Sequence, residues 1–356
     1  MLSPSSRSSC SAGRGLRSEC AMRSTYEHAG ALLLSRGDVE RLLTPDRCIA
    51  AVEEAFRQHA LGKAPTPGVL GMHANDGGFH IKAGVLALER PYFAAKVNAN
   101  FPHNAARHGL PTIQGVVALF DAVNGVPLAL MDSMALTALR TAAATAVAAR
   151  YLARASCETA LICGCGAQAG AQIRALLSVR RASRILTYDR DAAKAAAFAQ
   201  KIQAESGVQA RRVEDLGEAV AKSDIVITCT TARRFFIERR MVAPGTFVAG
   251  VGADNEDKQE LDPQLLAHST LVVDLIGQCA AIGDLHHALS ANIMSCDDVH
   301  AELGEVVAGL KPGRVSEEQV IVFDSTGTAL QDVAAAAAVY ELARDSTEAS
   351  RFPFDA

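Results

Sequence analysis

The stretch Leu161-Ile-Cys-Gly-Cys-Gly-Ala-Gln-Ala-Gly170 determines the fold of this chain, because it carries the pattern Gly164-x-Gly166-x-x-Ala169 directly after an apolar run. Glycine at position 164 allows a tight turn after a strand, and glycine at position 166 lets a pyrophosphate approach the backbone. The small Ala169 lets the following helix pack closely on the strand. Free N–H groups at the start of that helix point toward the phosphates. The stretch therefore predicts a strand–turn–helix unit that binds a dinucleotide.

A second predicted strand ends in an acidic residue that fits the same ligand. Asp189 follows Gly166 by 23 residues, close to the roughly 20 expected for the acid that binds the adenosine ribose. Its carboxylate repels a 2′-phosphate and favours NAD(H). Arg190 follows it directly and is able to bind that phosphate instead. We therefore expect NAD(H) first, with NADP(H) left open.

Strands and helices alternate around this unit. We expect strands at 160–163, 184–188, 224–229, 246–251, 271–274 and 320–323, with helices at 167–178, 191–205, 214–221 and 262–267. Alternating β and α elements indicate a doubly wound parallel sheet of the Rossmann type. We assign residues 141–325 to this α/β dinucleotide-binding domain.

The preceding half of the chain has a different pattern. An apolar run at 31–34 and a helical pattern over 39–56 are followed by short strand-like runs at 69–72, 79–82, 93–97, 113–120 and 127–131. Consecutive strands without intervening helices favour a mixed sheet with few crossovers. Two alanine-rich helices, 133–153 and 328–344, are expected to pack together. Residues 22–140 and 326–356 would then form one discontinuous mixed-sheet substrate domain.

Composition excludes several classes of protein. The chain has 356 residues, 49% hydrophobic and 21% charged, with a net charge of -4, which suits two soluble domains without a nucleic-acid partner. No apolar run reaches the roughly 18 residues of a membrane span. None of the nine cysteines lies in a CxxC pair, so we expect free thiols in a reducing cytoplasm and no metal. Residues 1–21 are predicted to be a disordered extension or a mis-assigned start before Met22.

Three charged residues lie in segments that are otherwise apolar or glycine-rich. Lys96 lies within 93–97, Arg140 within 136–144, and Asp254 directly after 248–253. Charges in such places are costly unless they are paired or functional. A lysine and an arginine together hold a carboxylate, and an aspartate near a substrate nitrogen transfers a proton. The three suit an amino or imino acid, although each alone is also explained by a structural salt bridge.

From about Leu32 to Tyr340 the chain resembles the ornithine cyclodeaminase/mu-crystallin family. The matching stretches are Lys96-Val-Asn-Ala-Asn-Phe-Pro102, Gly109-Leu-Pro-Thr-Ile113, Ala138-Leu-Arg-Thr-Ala142, Gly164-Cys-Gly-Ala-Gln168, Gly252-Ala-Asp254 with Lys258, and Phe323-Asp-Ser-Thr-Gly327. The resemblance implies a homodimer built through the mixed-sheet domain. It also implies that NAD(H) or NADP(H) is the only cofactor.

The resemblance also implies roles for particular residues. Lys96 and Arg140 would bind the substrate carboxylate, Asp254 would donate and accept the proton, and Thr326 would face the substrate. Besides Gly164, Gly166 and Arg190, the residues expected around the dinucleotide are Thr112, Arg140, Ala167, Gln168, Asp189, Thr230, Val251, Lys258 and Ser325.

One position departs from the family pattern. The family usually carries an arginine near Pro67 or Gly68, whereas this chain has no arginine between Arg57 and Arg90. Lys82, on the next predicted strand, is a candidate replacement in the carboxylate site. The alternative is that Lys82 is an ordinary surface lysine of a hairpin.

The missing arginine and Thr326 favour the reductase members of the family over the cyclodeaminases. We therefore predict an NAD(P)H-dependent reductase of a small cyclic imino acid, of the type that converts Δ1-pyrroline-2-carboxylate to L-proline. Ornithine cyclodeaminase, which forms L-proline and ammonia from L-ornithine with bound NAD, stays open as an alternative. So do an alanine-type dehydrogenase and a non-catalytic mu-crystallin-like binding protein, although Asp254 argues against the last.

Overall fold

The computed structural model describes residues 30–346 and 349–354, so the prediction for residues 1–21 lies outside the described residues. The strands are β1 (Ala31–Leu34), β2 (Gly68–Ala74), β3 (Gly77–Ala87), β4 (Pro91–Asn100), β5 (Ile113–Asp121), β6 (Pro127–Asp132), β7 (Thr159–Cys163), β8 (Arg184–Tyr188), β9 (Gln209–Arg212), β10 (Ile225–Thr228), β11 (Arg233–Ile237), β12 (Phe247–Gly250), β13 (Gln259–Leu261), β14 (Thr270–Val273), β15 (Ala301–Glu302), β16 (Ile321–Asp324) and β17 (Ser350–Phe352). The helices are α1 (Arg36–Leu42), α2 (Pro45–Ala60), α3 (Asn104–His108), α4 (Ser133–Leu152), α5 (Ala169–Val179), α6 (Ala192–Ser206), α7 (Leu216–Ala221), α8 (Pro263–Ala267), α9 (Ile276–Ile282), α10 (Asp284–Ser290), α11 (Leu303–Val307) and α12 (Ala329–Ala343).

The predicted doubly wound sheet is confirmed. Within the described residues it has eight parallel strands in the order β15-β14-β16-β12-β10-β7-β8-β9. From β7 the chain moves outward through β8 and β9, then returns to add β10 on the other side of β7. Ligands of open α/β sheets bind at such a reversal, outside the carboxyl ends of the strands. The glycine turn after β7 lies at this position.

Both faces of this sheet are covered, which explains why its strands are almost continuously apolar. All five residues of β7 are buried. Ala160 and Ile162 belong to a core shared with α4, α5 and α12. Leu161 and Cys163 face a second core on the opposite side, which includes Leu265 of α8.

The first half of the chain forms the predicted mixed sheet. In the described ranges it has seven strands in the order β17-β1-β6-β5-β4-β3-β2. Strands β1 and β6 are parallel, and the other neighbours are antiparallel. The edge strand β17 was not predicted, and β3 and β4 are longer than the apolar runs that predicted them. The helical pattern at 39–56 is divided into α1 and α2, since Pro45 has no N–H and begins a new helix.

A layer of helices joins the two sheets. Helix α4 begins at an Asp132 cap, whose carboxylate accepts a hydrogen bond from the N–H of Ala135. Helix α12 packs against α4 and α2 and against strands β3 and β4, so the predicted pairing of the two alanine-rich helices is confirmed. Although α12 follows the parallel sheet in sequence, it lies over the mixed sheet. No helix in the described part of the chain is long and apolar enough to cross a membrane.

Candidate active site

The two glycines of the turn after β7 have different structural requirements. Gly164 has a φ of +93°, and a Cβ there would lie 2.8 Å from the carbonyl oxygen of Cys229. Gly166 faces open space, where the nearest atom to an added Cβ would be Lys194 Nζ at 3.8 Å. The fold therefore needs glycine at 164, whereas the space at 166 is left for a ligand.

Asp189 is held beside this turn at the end of β8. Its carboxylate accepts hydrogen bonds from the N–H groups of Cys165 at 2.8 Å and Asp191 at 3.0 Å, and Lys194 Nζ lies 3.7 Å away. Burial raises the pKa of Asp189, but these hydrogen bonds and Lys194 lower it overall. The carboxylate is thus ionised and fixed next to the glycine turn. Arg190 is exposed next to it.

Gln168 gives an independent indication that the turn suits a ligand. It occupies the N-cap position of α5, but its side chain makes no capping hydrogen bond. Its side-chain oxygen is buried, yet has no hydrogen-bond partner among the described residues. A buried acceptor without a partner is costly, and a ligand hydroxyl or amide would satisfy it. Together with the open space at Gly166 and the fixed Asp189, this shows that the residues present fit a dinucleotide.

Lys82, Lys96 and Arg140 come together between the mixed sheet and α12. The register of β3 and β4 places Lys82 directly opposite Lys96, on the face covered by α12. Lys82 Nζ donates to the carbonyl oxygens of Thr326 at 3.1 Å and Gly327 at 2.5 Å. Lys82 is therefore not a free hairpin-surface lysine. It links the mixed sheet to the loop after β16.

Sequence reasoning missed the acid at the centre of this cluster. Lys96 Nζ lies 2.8 and 2.7 Å from the two carboxylate oxygens of Asp332, and Arg140 Nε donates to the same carboxylate at 2.8 Å. Exposed fractions are 2% for Lys96, 5% for Arg140 and 1% for Asp332. Arg140 Nη1 also donates to Gln331 Oε1 at 2.9 Å. The signal in the sequence was an acid among the apolar first turns of an alanine-rich helix.

Burial and repulsion within the cluster change its protonation. Burial, followed by the charge of Arg140, lowers the pKa of Lys96 to about 7, and Asp332 partly opposes this shift. The pKa of Lys82 is lowered for the same reasons. Burial raises the pKa of Asp332, but Arg140 and Lys96 lower it overall. A bound carboxylate would favour the charged form of both lysines.

Asp254 lies in the loop after β12, at the carboxyl edge of the parallel sheet. Its side chain is 55% exposed, and Lys258 Nζ donates to it at 2.6 Å. The charge of Asp254 also raises the pKa of Lys82. The loop of Asp254 follows β12, which pairs with β16, the strand that precedes the loop 325–327. The structure thus brings the predicted Asp254, Lys258 and cation cluster to one region.

The profile of the ornithine cyclodeaminase/mu-crystallin family matches residues 30–347. This chain belongs to that family. An alanine dehydrogenase of Archaeoglobus fulgidus is 38% identical over 323 residues, which cover 91% of this chain and 98% of that protein. The structure of an archaeal alanine dehydrogenase dimer with bound NAD matches with a TM-score of 0.86 at 37% identity, over 91% of this chain and 99% of that one. The Thermococcus litoralis Δ1-pyrroline-2-carboxylate reductase in complex with NADH and L-proline matches with a TM-score of 0.85 at 34% identity, over 90% and 100%.

In this family member, Asp274 fixes the loop at 325–327. It accepts hydrogen bonds from Gly327 N–H at 2.6 Å, Thr326 Oγ1 at 3.1 Å and Ser325 Oγ at 3.3 Å. Gln278 Nε2 donates to Thr326 Oγ1 at 2.7 Å. The Thr326 side chain is therefore occupied in holding the loop, and its backbone oxygen faces Lys82. Asp274 and Gln278 were not predicted from the sequence.

A second group of buried acids supports the loops beside the turn. Glu260 accepts hydrogen bonds from Thr230 N–H at 2.6 Å and Gly252 N–H at 2.7 Å. Asp284 accepts from Glu260 N–H at 2.8 Å, and Asp324 accepts from Leu285 N–H at 2.9 Å. Burial is the first cause that raises the pKa of all three acids. These acids tie together the ends of strands where the dinucleotide residues are predicted.

The positions of the remaining predicted cofactor residues relate less directly to the glycine turn. Val251 and Thr230 follow β12 and β10 at the same sheet edge, and Ala167 is exposed in the glycine turn. Thr112 is exposed, and its carbonyl accepts a hydrogen bond from the N–H of Phe101 at 2.8 Å. This contact lies between β4 and β5 of the mixed sheet and not at the glycine turn. Among the described residues there is no group of three or more His, Cys, Asp or Glu that could hold a metal ion.

Proposed function

We propose that this chain is an NAD(H)-dependent reductase that converts a small cyclic imino acid of the Δ1-pyrroline-2-carboxylate type to L-proline. The observation that carries the proposal is the cluster of Lys82, Lys96 and Arg140, which Lys82 joins to the loop 325–327. That loop lies at the same edge of the parallel sheet as the turn that fits a dinucleotide. The family assignment supports the class of reaction, because its related proteins include, by name, an alanine dehydrogenase and a Δ1-pyrroline-2-carboxylate reductase.

The cation cluster supplies the binding energy for a carboxylate. Arg140 offers a planar guanidinium that is suited to bidentate contact with a carboxylate. Lys82 lies opposite Lys96 in the sheet and supplies the positive charge that the missing family arginine would have brought. Lys82 is thus the proposed replacement for the arginine that this chain lacks near Pro67.

The cofactor site is formed by Gly164, Gly166, Gln168 and Asp189. The solved relatives were obtained with NAD or NADH, and the ionised Asp189 disfavours a 2′-phosphate. A nicotinamide dinucleotide bound there supplies a hydride to the C=N carbon. Asp254 is the proposed group that hydrogen-bonds to the imine nitrogen and exchanges a proton with it.

The outer face of the mixed sheet supports a homodimer. Leu33, Leu70, Met72, Phe79, Val116 and Leu130 all lie on the face opposite Lys96 and Lys82. All six are exposed, for example Met72 at 56% and Val116 at 43%. An apolar sheet face of this extent typically marks an interface. The related alanine dehydrogenase was solved as a dimer, so we propose that a second copy of this chain covers the face.

Purified full-length chain tests the proposed reaction. Δ1-pyrroline-2-carboxylate is supplied with NADH or NADPH, and L-ornithine with catalytic NAD is supplied in parallel. Oxidation of NADH with formation of L-proline is expected in the first assay. Ammonia and L-proline from ornithine, without net change in cofactor, would instead identify a cyclodeaminase. A third assay supplies pyruvate, ammonia and NADH, and turnover in that assay alone would identify an alanine dehydrogenase. Cofactor binding without turnover in any assay would identify a binding protein.

A further inference from the structure

The carboxylate of Asp332 lies between the groups that are proposed to bind substrate. It contacts Lys96 Nζ at 2.8 and 2.7 Å and Arg140 Nε at 2.8 Å. Gln331, its neighbour on α12, holds Arg140 Nη1 at 2.9 Å. In the described part of the chain no group accepts a hydrogen bond from Arg140 Nη2. Helix α12 thus holds one side of the guanidinium and leaves the other end to a ligand.

Asp332 also determines how many positive charges the buried cluster can keep. The charged groups that act on Asp332 are Lys82 from β3, Lys96 from β4 and Arg140 from α4. Asp254 and Asp274, from the edge of the parallel sheet, raise the pKa of Lys82. Burial raises the pKa of the Cys48 thiol of α2, and the charge of Arg140 lowers it. Because the arginine stays protonated at all ordinary pH values, a shortage of negative charge is relieved by loss of a lysine proton.

We propose that Asp332 is a positioning residue that keeps Lys96 protonated and orients Arg140 for the substrate carboxylate. The inference rests on the proposed function as far as the substrate is concerned. Its electrostatic part concerns only residues within the chain. Lys96 is the group that responds, because it touches Asp332 directly and already loses protons near neutral pH.

Kinetics of Asp332→Asn as a function of pH test the substrate part. The exchange keeps the shape of the side chain and removes its charge. We expect kcat/KM for the imino acid to fall with rising pH, and the midpoint of this fall to lie at least one pH unit lower than in the wild type. KM at pH 8 should therefore rise about tenfold or more, while kcat changes less. Asp332→Glu should recover most of the profile. A matched control is Asp121→Asn, at the end of β5. This exchange removes a buried carboxylate that pairs with Arg90 and should leave the pH profile unshifted. A uniform loss at every pH in Asp332→Asn would overturn the proposal.

Urea unfolding tests the electrostatic part without any substrate. In the folded state Lys96 has a pKa below its unfolded value, so the folded chain binds fewer protons and loses stability as pH falls. Without Asp332 the pKa of Lys96 should be lower still, so this loss of stability should continue below pH 7. The destabilisation by Asp332→Asn should therefore be larger at pH 6 than at pH 8, and Lys96→Met should remove the difference. Equal destabilisation at both pH values, or a difference that persists with Lys96→Met, contradicts the inference. If no imino acid is turned over by the wild type, the proposed function fails while this measurement still decides the role of Asp332.

Discussion

Asp254 is exposed and has a proposed role in proton transfer, so its replacement should affect activity much more than stability. Its side chain is 55% exposed and forms an ion pair with Lys258. We expect Asp254→Ala to lower kcat by about 10²-fold or more, in the range of general acid–base contributions, with little change in Tm. Initial rates with NADH and the imino acid measure this. Asp257→Ala, in the same loop and 66% exposed, is the control. Wild-type turnover of Asp254→Ala would exclude Asp254 as the proton donor.

Asp284 is a buried acid whose ionisation should cost stability. Its Oδ1 accepts N–H groups of Glu260 and Leu261, whereas Oδ2 has no partner among the described residues. Burial, then the charges of Asp324 and Glu260, raise its pKa well above the ordinary value. A raised folded pKa gives stability that is present at low pH and lost as pH rises through that pKa.

Asp284→Asn should therefore stabilise the protein more at pH 8 than at pH 5. The amide still accepts both N–H groups but cannot ionise, and the expected difference is on the order of 1 kcal/mol, since one pKa unit is about 1.4 kcal/mol. Urea unfolding at the two pH values gives the answer, with Asp262→Asn at a half-buried helix cap as the reference. An unchanged or larger gain at pH 5 would mean that Asp284 is ionised in the folded state.

A charge that interrupts an apolar segment was the sequence signal for Lys96 and Arg140, which the structure places in one buried cluster. Asp332 carries the same signal, since it interrupts the alanine-rich helix that follows β16. The same rule could not reveal Asp274 and Gln278. Their partners in the loop 325–327 lie about fifty positions away in the sequence, and only the pairing of β14 with β16 brings them together.

At the scale of the element, the strand–turn–helix unit separates folding from binding at two neighbouring glycines. Gly164→Ala forces a residue with a side chain to φ +93°, with its Cβ 2.8 Å from a carbonyl oxygen, and should lower stability by about 1–3 kcal/mol. Gly166→Ala meets open space, so the chain should fold normally but bind NADH at least tenfold more weakly. Thermal unfolding and NADH fluorescence titration measure the two effects. If Gly166→Ala and the wild type bound NADH with equal affinity, the turn would not be part of the cofactor site.

The alternation of strands and helices was readable because buried parallel strands are continuously apolar. Short edge strands were missed for the opposite reason. Strand β9, Gln209–Arg212, is polar and partly exposed, and β15 has only two residues. The division between α1 and α2 was also missed, because the apolar spacing continues across the break at Leu43 and Thr44. Pro45 was the local signal for it.

At the scale of the whole molecule, the proposed homodimer depends on the outer face of the mixed sheet. Val116 lies on a central strand of that face and is 43% exposed. We expect Val116→Glu to convert the dimer to monomer, because a buried unpaired charge costs several kcal/mol. Val315→Glu changes an even more exposed apolar residue, at 71%, outside this face and should leave the dimer intact. Light scattering after gel filtration distinguishes the two, and a stable dimer of Val116→Glu would place the interface elsewhere.

The position of α12 has a consequence for biosynthesis. Ribosomes release Lys82, Lys96 and Arg140 long before Gln331 and Asp332 emerge, and the whole parallel sheet is translated in the interval. During that time the three cations lack their acidic partner. The proposed pocket for the carboxylate is therefore assembled only when the last long helix docks, and the same helix completes the core beneath β7. Premature termination within that helix would leave both the pocket and that core unfinished.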